Sequence, residues 1–418
     1  MDWIFCFKKF PSRSVSFVHI IFATFGLIYS FFCLFDRPEP KVIEDIVQDI
    51  LNKLNRLSKS DHKGLIGIGS NMEQIKSLLC IGGEDVRIIG IWGMGGLGKT
   101  TLAQAIYDEV SGQFESCYFL ANVREESEKH GLITVRDKLL SKLLNEENLH
   151  IGTPKIGSTF TKDRLYRKRV LAVLDDVNDL DQLEILAISH DHFGLGSRII
   201  VTSRDKQVLT NGSVDGIYDV KELSYNDSLQ LFSLFAFKQN HLVDDFKDLS
   251  NNILEYAKGV PIALKVLGST LHQKSISYWE SALNRLKQYP NPKIQNVLKI
   301  SFDGLDEIEK NIFLDIACFF QWYDRDNVTK ILDGCYGCTA HCGITNLIDK
   351  CLLNVTNENS LGMHDLLQEL GKNVVRLESR RPEERSRLWT PSDVSRVLKN
   401  GSVRANCTNF LFFLLIII

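Results

Sequence analysis

The sequence has no marked excess of either charge: 49 Lys and Arg stand against 52 Asp and Glu, a net −3. Nothing in that balance gives an electrostatic reason to expect nucleic acid as a partner. Cysteine is sparse, with ten residues scattered singly through 418. That is not the dense framework of a small secreted domain, so reduced thiols and a cytoplasmic setting are expected. There is no internal repeat, and in particular no leucine-rich period of roughly 20–29 residues, which leaves a solenoid without support.

Long apolar runs are confined to the two ends. Residues 17–35, FVHIIFATFGLIYSFFCLF, have the length of one membrane-spanning helix, for which about 20 residues are needed. Lys8, Lys9 and Arg13 precede the run and would hold the N-terminus on the cytoplasmic side. A cleaved signal peptide is the other reading, although no small-residue cleavage site follows. The C-terminal NFLFFLLIII is too short to span. Both ends look foreign to the middle, as in a truncated or atypical gene product, and membrane contact is expected only if 17–35 is a true anchor.

What is present is a chain long enough for two to four domains. Residues 1–40 form the apolar N-terminal segment. In 41–65, Val42, Ile43, Ile46, Ile50, Leu54 and Leu57 recur at helical spacing, which predicts a linker helix. From 66 to 222, short apolar runs alternate with helical patterns, the signature of a parallel α/β sheet with crossover helices. The expected strands are VRIIGIW, CYFLANV, RVLAVLDD, SRIIVTSR and IYDV. Residues 223–298 read as helical, with Ser224 and Asp227 as capping candidates. Residues 299–390 are helix-rich with one short strand candidate, LLNVT, and 391–418 form an apolar tail.

The first expected strand runs into Gly93-Met-Gly-Gly-Leu-Gly98-Lys99-Thr100, which matches G-x-x-x-x-G-K-[ST] between a strand and a helix. Gly93, Gly95, Gly96 and Gly98 let successive backbone N–H groups curl around phosphate oxygens. The helix beginning near Lys99 adds its positive end to the same anion site. Lys99 would reach the β- and γ-phosphates, and the Thr100 hydroxyl would ligate Mg²⁺. RVLAVLDD ends in Asp175-Asp176: Asp175 would hold the metal through water, and Asp176 would orient or deprotonate an attacking water. SRIIVTSR ends in Arg204, placed at the crevice where open α/β sheets bind ligands and able to sense a γ-phosphate in cis.

In order, the blocks GMGGLGKTT, VLAVLDDV, GSRIIVTSRD, GVPIALKVLG, FLDIACFF and MHD make the chain resemble the NB-ARC module of plant disease-resistance receptors over about residues 60–395. FLDIACFF, and Asn178 after LDDV, resemble the TIR-type branch. The resemblance implies an ASCE/STAND-type P-loop domain, then a helical subdomain, then a winged helix. It implies ADP/ATP and Mg²⁺ as cofactors, held by Gly93, Gly95, Gly96, Gly98, Lys99, Thr100 and Thr101. Pro261 would touch the adenine side, and Gly67 and Ile68 would help line the adenine pocket. His364 would reach the β-phosphate of ADP from the winged helix, with Asp365 in support. Read from the residues alone, Met363-His364-Asp365 is a helix start with Asp365 as its cap.

The implied function is an ADP/ATP switch of an innate-immune receptor, with other immune-receptor or signalling proteins as partners. No TIR block and no leucine-rich repeats occur in the sequence, so no NADase is expected. A turnover ATPase is the rival, but Asp176 stands where an efficient catalytic glutamate would be, which implies slow hydrolysis. A truncated decoy or adaptor is a third reading. Cys335, Cys338, His341, Cys342 and Cys351 include one C-x-x-C, half of a structural zinc site. The charge run ESRRPEERSR reads as a solvated face and linker.

Overall fold

Aliphatic strands buried on both faces favour a parallel sheet covered by helices, and the five expected runs form one. The computed structural model describes residues 65–146, 159–186 and 188–399. Strands β1 (Arg87–Trp92), β2 (Ser116–Leu120), β3 (Val170–Val177), β4 (Arg198–Ser203) and β5 (Gly216–Asp219) lie in the order β2-β3-β4-β1-β5. All pairs are parallel, with Gly90 opposite Val201 on one side and Ile217 on the other. Alternate residues feed two cores: Ile89, Ile91, Val173 and Ile200 one, Ile88, Leu174, Ile199 and Val201 the other.

Six helices position the site in and around the P-loop domain and the helical subdomain. They are α1 (Lys99–Val110), α2 (Val123–His130), α3 (Lys206–Asn211), α4 (Tyr225–Phe237), α5 (Lys247–Ala257) and α6 (Pro261–Leu271). Ser224 caps α4 by accepting from Asp227 N, as its position in the sequence suggests. Phe232 and Trp279 meet edge-on at 5.8 Å in the helical core, and this core is continuous with the first face of the sheet.

The chain continues through α7 (Pro292–Asp303) and α8 (Glu307–Asp315) to α9 (Ala340–Asp349), and ends its winged helix with α10 (Asp365–Glu378). α7 runs unbroken across the 298/299 boundary expected between the two smaller units. Two-residue strands β6 (Asn354–Val355) and β7 (Leu361–Gly362) make the wing. LLNVT holds β6, and β7 is too short to announce itself by periodicity.

Two expectations are corrected. The cap of α10 is His364, not Asp365: the His364 Nδ1 accepts from Leu366 N at 3.1 Å, and Asp365 is the first helical residue. The charge run is not all solvated, because Arg387 is 4% exposed and donates to the fully buried Asp315 at 2.6 Å. A buried cation needs such a partner. Among the described residues no helix is long and apolar enough to cross a membrane; the 17–35 segment, the 41–64 part of the linker helix and residues 400–418 of the tail lie outside them. The remainder of the tail begins as the helix Pro391–Lys399.

Candidate functional site

The loop between β1 and α1 turns on glycines whose backbone conformation or close packing disfavours a side chain. Gly98 has φ +92° and caps α1, accepting from Leu102 N at 2.9 Å. Gly96 has φ +89°, and a Cβ there would lie 2.4 Å from Ile262 Cγ2. Its carbonyl accepts from Ile262 N at 3.3 Å, so the loop is seated on the start of α6. The first N–H groups of a helix have no intrahelical acceptor, and Gly98, Lys99, Thr100, Thr101 and Leu102 all border one groove of about 250 Å³.

Lys99 is 7% exposed and donates to the carbonyls of Gly93 at 2.7 Å and Met94 at 3.0 Å. Burial, aided by the nearby Arg204 charge, pushes its pKa down to about 8. An ammonium in that position gains from an anion brought to it. Gly93 and Gly95 shape the loop without bordering the groove: a Cβ on Gly95 would lie 2.8 Å from Arg204 Nη1.

Asp175 and Asp176 are adjacent but differently placed. Asp175 is 1% exposed, and its Oδ1 accepts from the hydroxyls of Thr100 at 2.8 Å and Thr202 at 2.7 Å. Its Oδ2 is buried and has no hydrogen-bond partner among the described residues. A carboxylate oxygen left unpaired beside a threonine hydroxyl is the donor set a hard divalent cation such as Mg²⁺ takes. Asp176 turns outward at φ +59°, its N–H donating to Thr202 Oγ1 at 2.9 Å. Its carboxylate lies between Arg124 Nη2 at 3.0 Å and Arg204 Nε at 3.3 Å. Arg204 also donates to the carbonyl of Val297 in α7 at 3.0 Å.

Arg124 and Thr202 were not expected as site residues. Thr202 carries a signal, a hydroxyl in an otherwise aliphatic buried strand; Arg124, in α2, carries none without its tertiary partner. The groove brings Ile68, Lys99, Thr100, Thr101, Asp176, Arg204 and Pro261 together, with Val220, Leu223 and Leu231 as its apolar lining. Gly67 is not in that lining. At φ +75° it is the close-packing point against Leu223 and Asp227, where a Cβ would lie 2.7 Å from Leu223 Cδ2.

His364 is not among the groove-lining residues either. It packs where Glu222 and the Lys258 main chain act on its ring, and burial lowers its pKa against the pull of those groups. Lys221, Leu223 and Pro261, beside these two segments, do line the groove. Asp365 pairs with Lys258 at 3.7 Å, both side chains well exposed. Among the described residues no group of His, Cys, Asp or Glu is arranged to hold a metal by itself, the Cys335–Cys351 stretch included.

The NB-ARC domain family matches residues 68–242, and the Disease resistance protein Roq1-like winged-helix domain matches 306–379. Disease resistance protein RPV1 of Vitis rotundifolia is 43% identical over 365 residues, 87% of this chain and 26% of that protein. TMV resistance protein N of Nicotiana glutinosa is 41% identical over 374 residues, 88% of this chain and 32% of that protein. The chain thus spans about a quarter to a third of the length of these curated relatives. Of solved structures, the Aeropyrum pernix ORC2 protein is similar at a TM-score of 0.42 and 14% identity, over 76% of this chain and 94% of that one.

Proposed function

Since the chain belongs to the NB-ARC family, its nucleotide-binding P-loop domain followed by a Roq1-like winged helix, we propose that it is an ADP/ATP switch in plant disease-resistance signalling. The observation that carries this reading is the shared groove. The P-loop supplies one wall, and Pro261, Ile262, Lys265 and Val297 of the helical subdomain supply another. A nucleotide there binds two subdomains at once, so its phosphates bear on how they are arranged.

Lys99 and the start of α1 would hold the β-phosphate, and Thr100 and Asp175, whose Oδ2 has no partner among the described residues, would hold Mg²⁺, which supplies positive charge against the phosphates. Arg204 meets the γ-phosphate. Asp176, held between Arg124 and Arg204, would orient the attacking water, in keeping with slow hydrolysis. His364 acts on the groove through the Glu222 and Lys258 segments, and its contact with the β-phosphate belongs to the ADP state.

Moving a two-state equilibrium from 1:99 to 99:1 requires ~5.5 kcal/mol of differential affinity. Groups engaged in one state only, such as Arg204 and His364, are the sources of that difference. A cytoplasmic setting, with other immune-receptor or signalling proteins as partners, belongs to this reading and is in line with the disease resistance relatives.

The test is to denature the purified chain and resolve the released nucleotide by ion exchange. ADP is expected, and Lys99→Ala should release little, with thermal stability falling in parallel. Empty wild-type protein, or guanine nucleotide, overturns the reading.

A further inference from the structure

The winged helix touches the nucleotide-binding domain at a second place, away from His364. α9 ends at Asp349, and the chain turns through Lys350 into Cys351 at φ +55°, where Leu352 N closes back on Leu347 O at 2.9 Å. The last carbonyls of a helix lack intrahelical donors. Here the Asp349 carbonyl accepts from Trp92 Nε1 at 2.9 Å. The next residue, Lys350, pairs with Asp205 at 2.7 Å, with side-chain exposures of 29% and 15% that leave it only partly open to water.

Both acceptor and donor on the other side are neighbours of phosphate-facing groups. Trp92 is the last residue of β1, directly before Gly93 of the P-loop, and Asp205 directly follows Arg204. Trp92 and Asp205 are further joined through α3: Lys206 lies 5.1 Å over the Trp92 ring, and Asp205 caps the helix by accepting from Gln207 N. A cavity of about 370 Å³ is lined by Lys350, Asp205, Arg204 and Asp176, the last two of which also border the nucleotide groove. One turn of the winged helix therefore holds the entry to the P-loop and the arginine strand together.

We propose that the turn Asp349–Cys351 is a second latch, distinct from His364, in which Trp92 and Lys350 are positioning residues that favour ADP over ATP. A γ-phosphate competes with the Val297 carbonyl for Arg204, and a shift of Arg204 is passed to Asp205 and so to Lys350. ADP makes no such demand and leaves the turn seated. By reciprocity, a seated turn must weaken ATP binding by the factor with which ATP loosens the turn. The proposal rests on the adenine-nucleotide reading above.

The test uses the full chain with Trp92→Phe, which keeps an aromatic ring under Lys206 while removing the indole N–H with part of the bicycle, and Lys350→Met. Release of a fluorescent ADP analogue is followed after a chase with excess ADP, and ATP and ADP affinities are measured by competition. Both variants should release ADP about tenfold faster and move the ATP/ADP affinity ratio toward ATP by a similar factor, within the usual range of coupling. Lys350→Arg should stay near wild type, and Trp92→Phe/Lys350→Met should add little to either single change. A merely loosened fold would weaken both nucleotides alike. Unchanged release and ratio in protein that does hold ADP overturn the latch alone. Wild-type protein that holds no adenine nucleotide overturns the switch reading and the latch with it.

Discussion

Arg204 Nη1 donates to the main-chain carbonyl of Val297 at 3.0 Å, tying the end of β4 to the middle of α7. The same guanidinium borders the nucleotide groove, so it has a protein partner in hand while facing the ligand site. Arg204→Gln removes the charge but keeps a donor for Val297. Loss of a charge-assisted hydrogen bond to phosphate, worth roughly 1.5–3 kcal/mol, should weaken ATP about tenfold or more while ADP affinity changes little. Calorimetric titration with each nucleotide checks this, and equal losses for both would remove Arg204 from γ-phosphate sensing.

Two glycines of the P-loop share a left-handed conformation but not their surroundings. At Gly96 a methyl group meets Ile262 Cγ2 at 2.4 Å, whereas at Gly98 nothing lies within 4 Å. Gly98→Ala carries backbone strain alone, roughly 1–3 kcal/mol. Gly96→Ala carries that strain plus the clash, another ~1–3 kcal/mol of overpacking. Urea unfolding should rank Gly96→Ala below Gly98→Ala, and Gly96→Ala/Ile262→Ala should recover part of the gap. The reverse ranking would mean that α6 does not seat the loop.

His364 gives the nucleotide-binding and winged-helix units a proton dependence of defined sign. Its Nδ1 is an acceptor in the α10 cap, so protonation there ends the cap, and burial lowers its pKa below 6.5. The unfolded chain then binds more protons as pH falls through 6.5, and stability drops in that direction by at most ~1.4 kcal/mol per pH unit for one group. His364→Asn keeps a good capping side chain and cannot titrate. Between pH 7.5 and 5.5 its stability curve should be flatter than that of wild type. Parallel curves would place the titrating group elsewhere.

The parts of this molecule legible in the sequence are those whose chemistry is local. β1, β3 and β4, buried through their middles, read as aliphatic runs, the edge strands β2 and β5 as shorter apolar ones, and the loop after β1 is legible because its glycines, lysine and threonine stand in consecutive register. Asp175 was readable because it ends such a run. What stayed hidden depends on partners far along the chain. Arg124 is defined by Asp176, 52 residues on, and looks like any surface arginine until α2 is folded against β3. A carboxylate is a commoner cap than an imidazole, which points to Asp365 as the cap of α10. The choice went to His364 because its backbone leaves the wing extended, at φ −61° and ψ 138°.

Arg387 is the clearest case of a charge whose role was tertiary, and it gives the last prediction. It donates through Nε to Asp315 at 2.6 Å and through Nη2 to the Asn311 carbonyl at 3.0 Å, fastening the segment after the winged helix to α8. Asp315 is fully buried and accepts from Tyr336 as well, at 2.6 Å. Burial pushes the Asp315 pKa up, and Arg387 works against that push. Arg387→Met leaves the carboxylate without its counter-charge, which for a buried pair costs about 3–5 kcal/mol at pH 7. Asp315 then holds its proton more tightly when folded than when unfolded, so the cost should shrink as pH falls toward 4 and level off below the unfolded value at what the lost bonds to Asn311 contribute. Replacing both, Asp315→Asn with Arg387→Met, should cost less at pH 7 than Arg387→Met alone, since no buried charge is left unpaired. Urea unfolding of the three proteins at pH 7 and pH 5 measures this. A single variant within 1 kcal/mol of wild type at pH 7 would show that Arg387 and Asp315 do not fasten this segment.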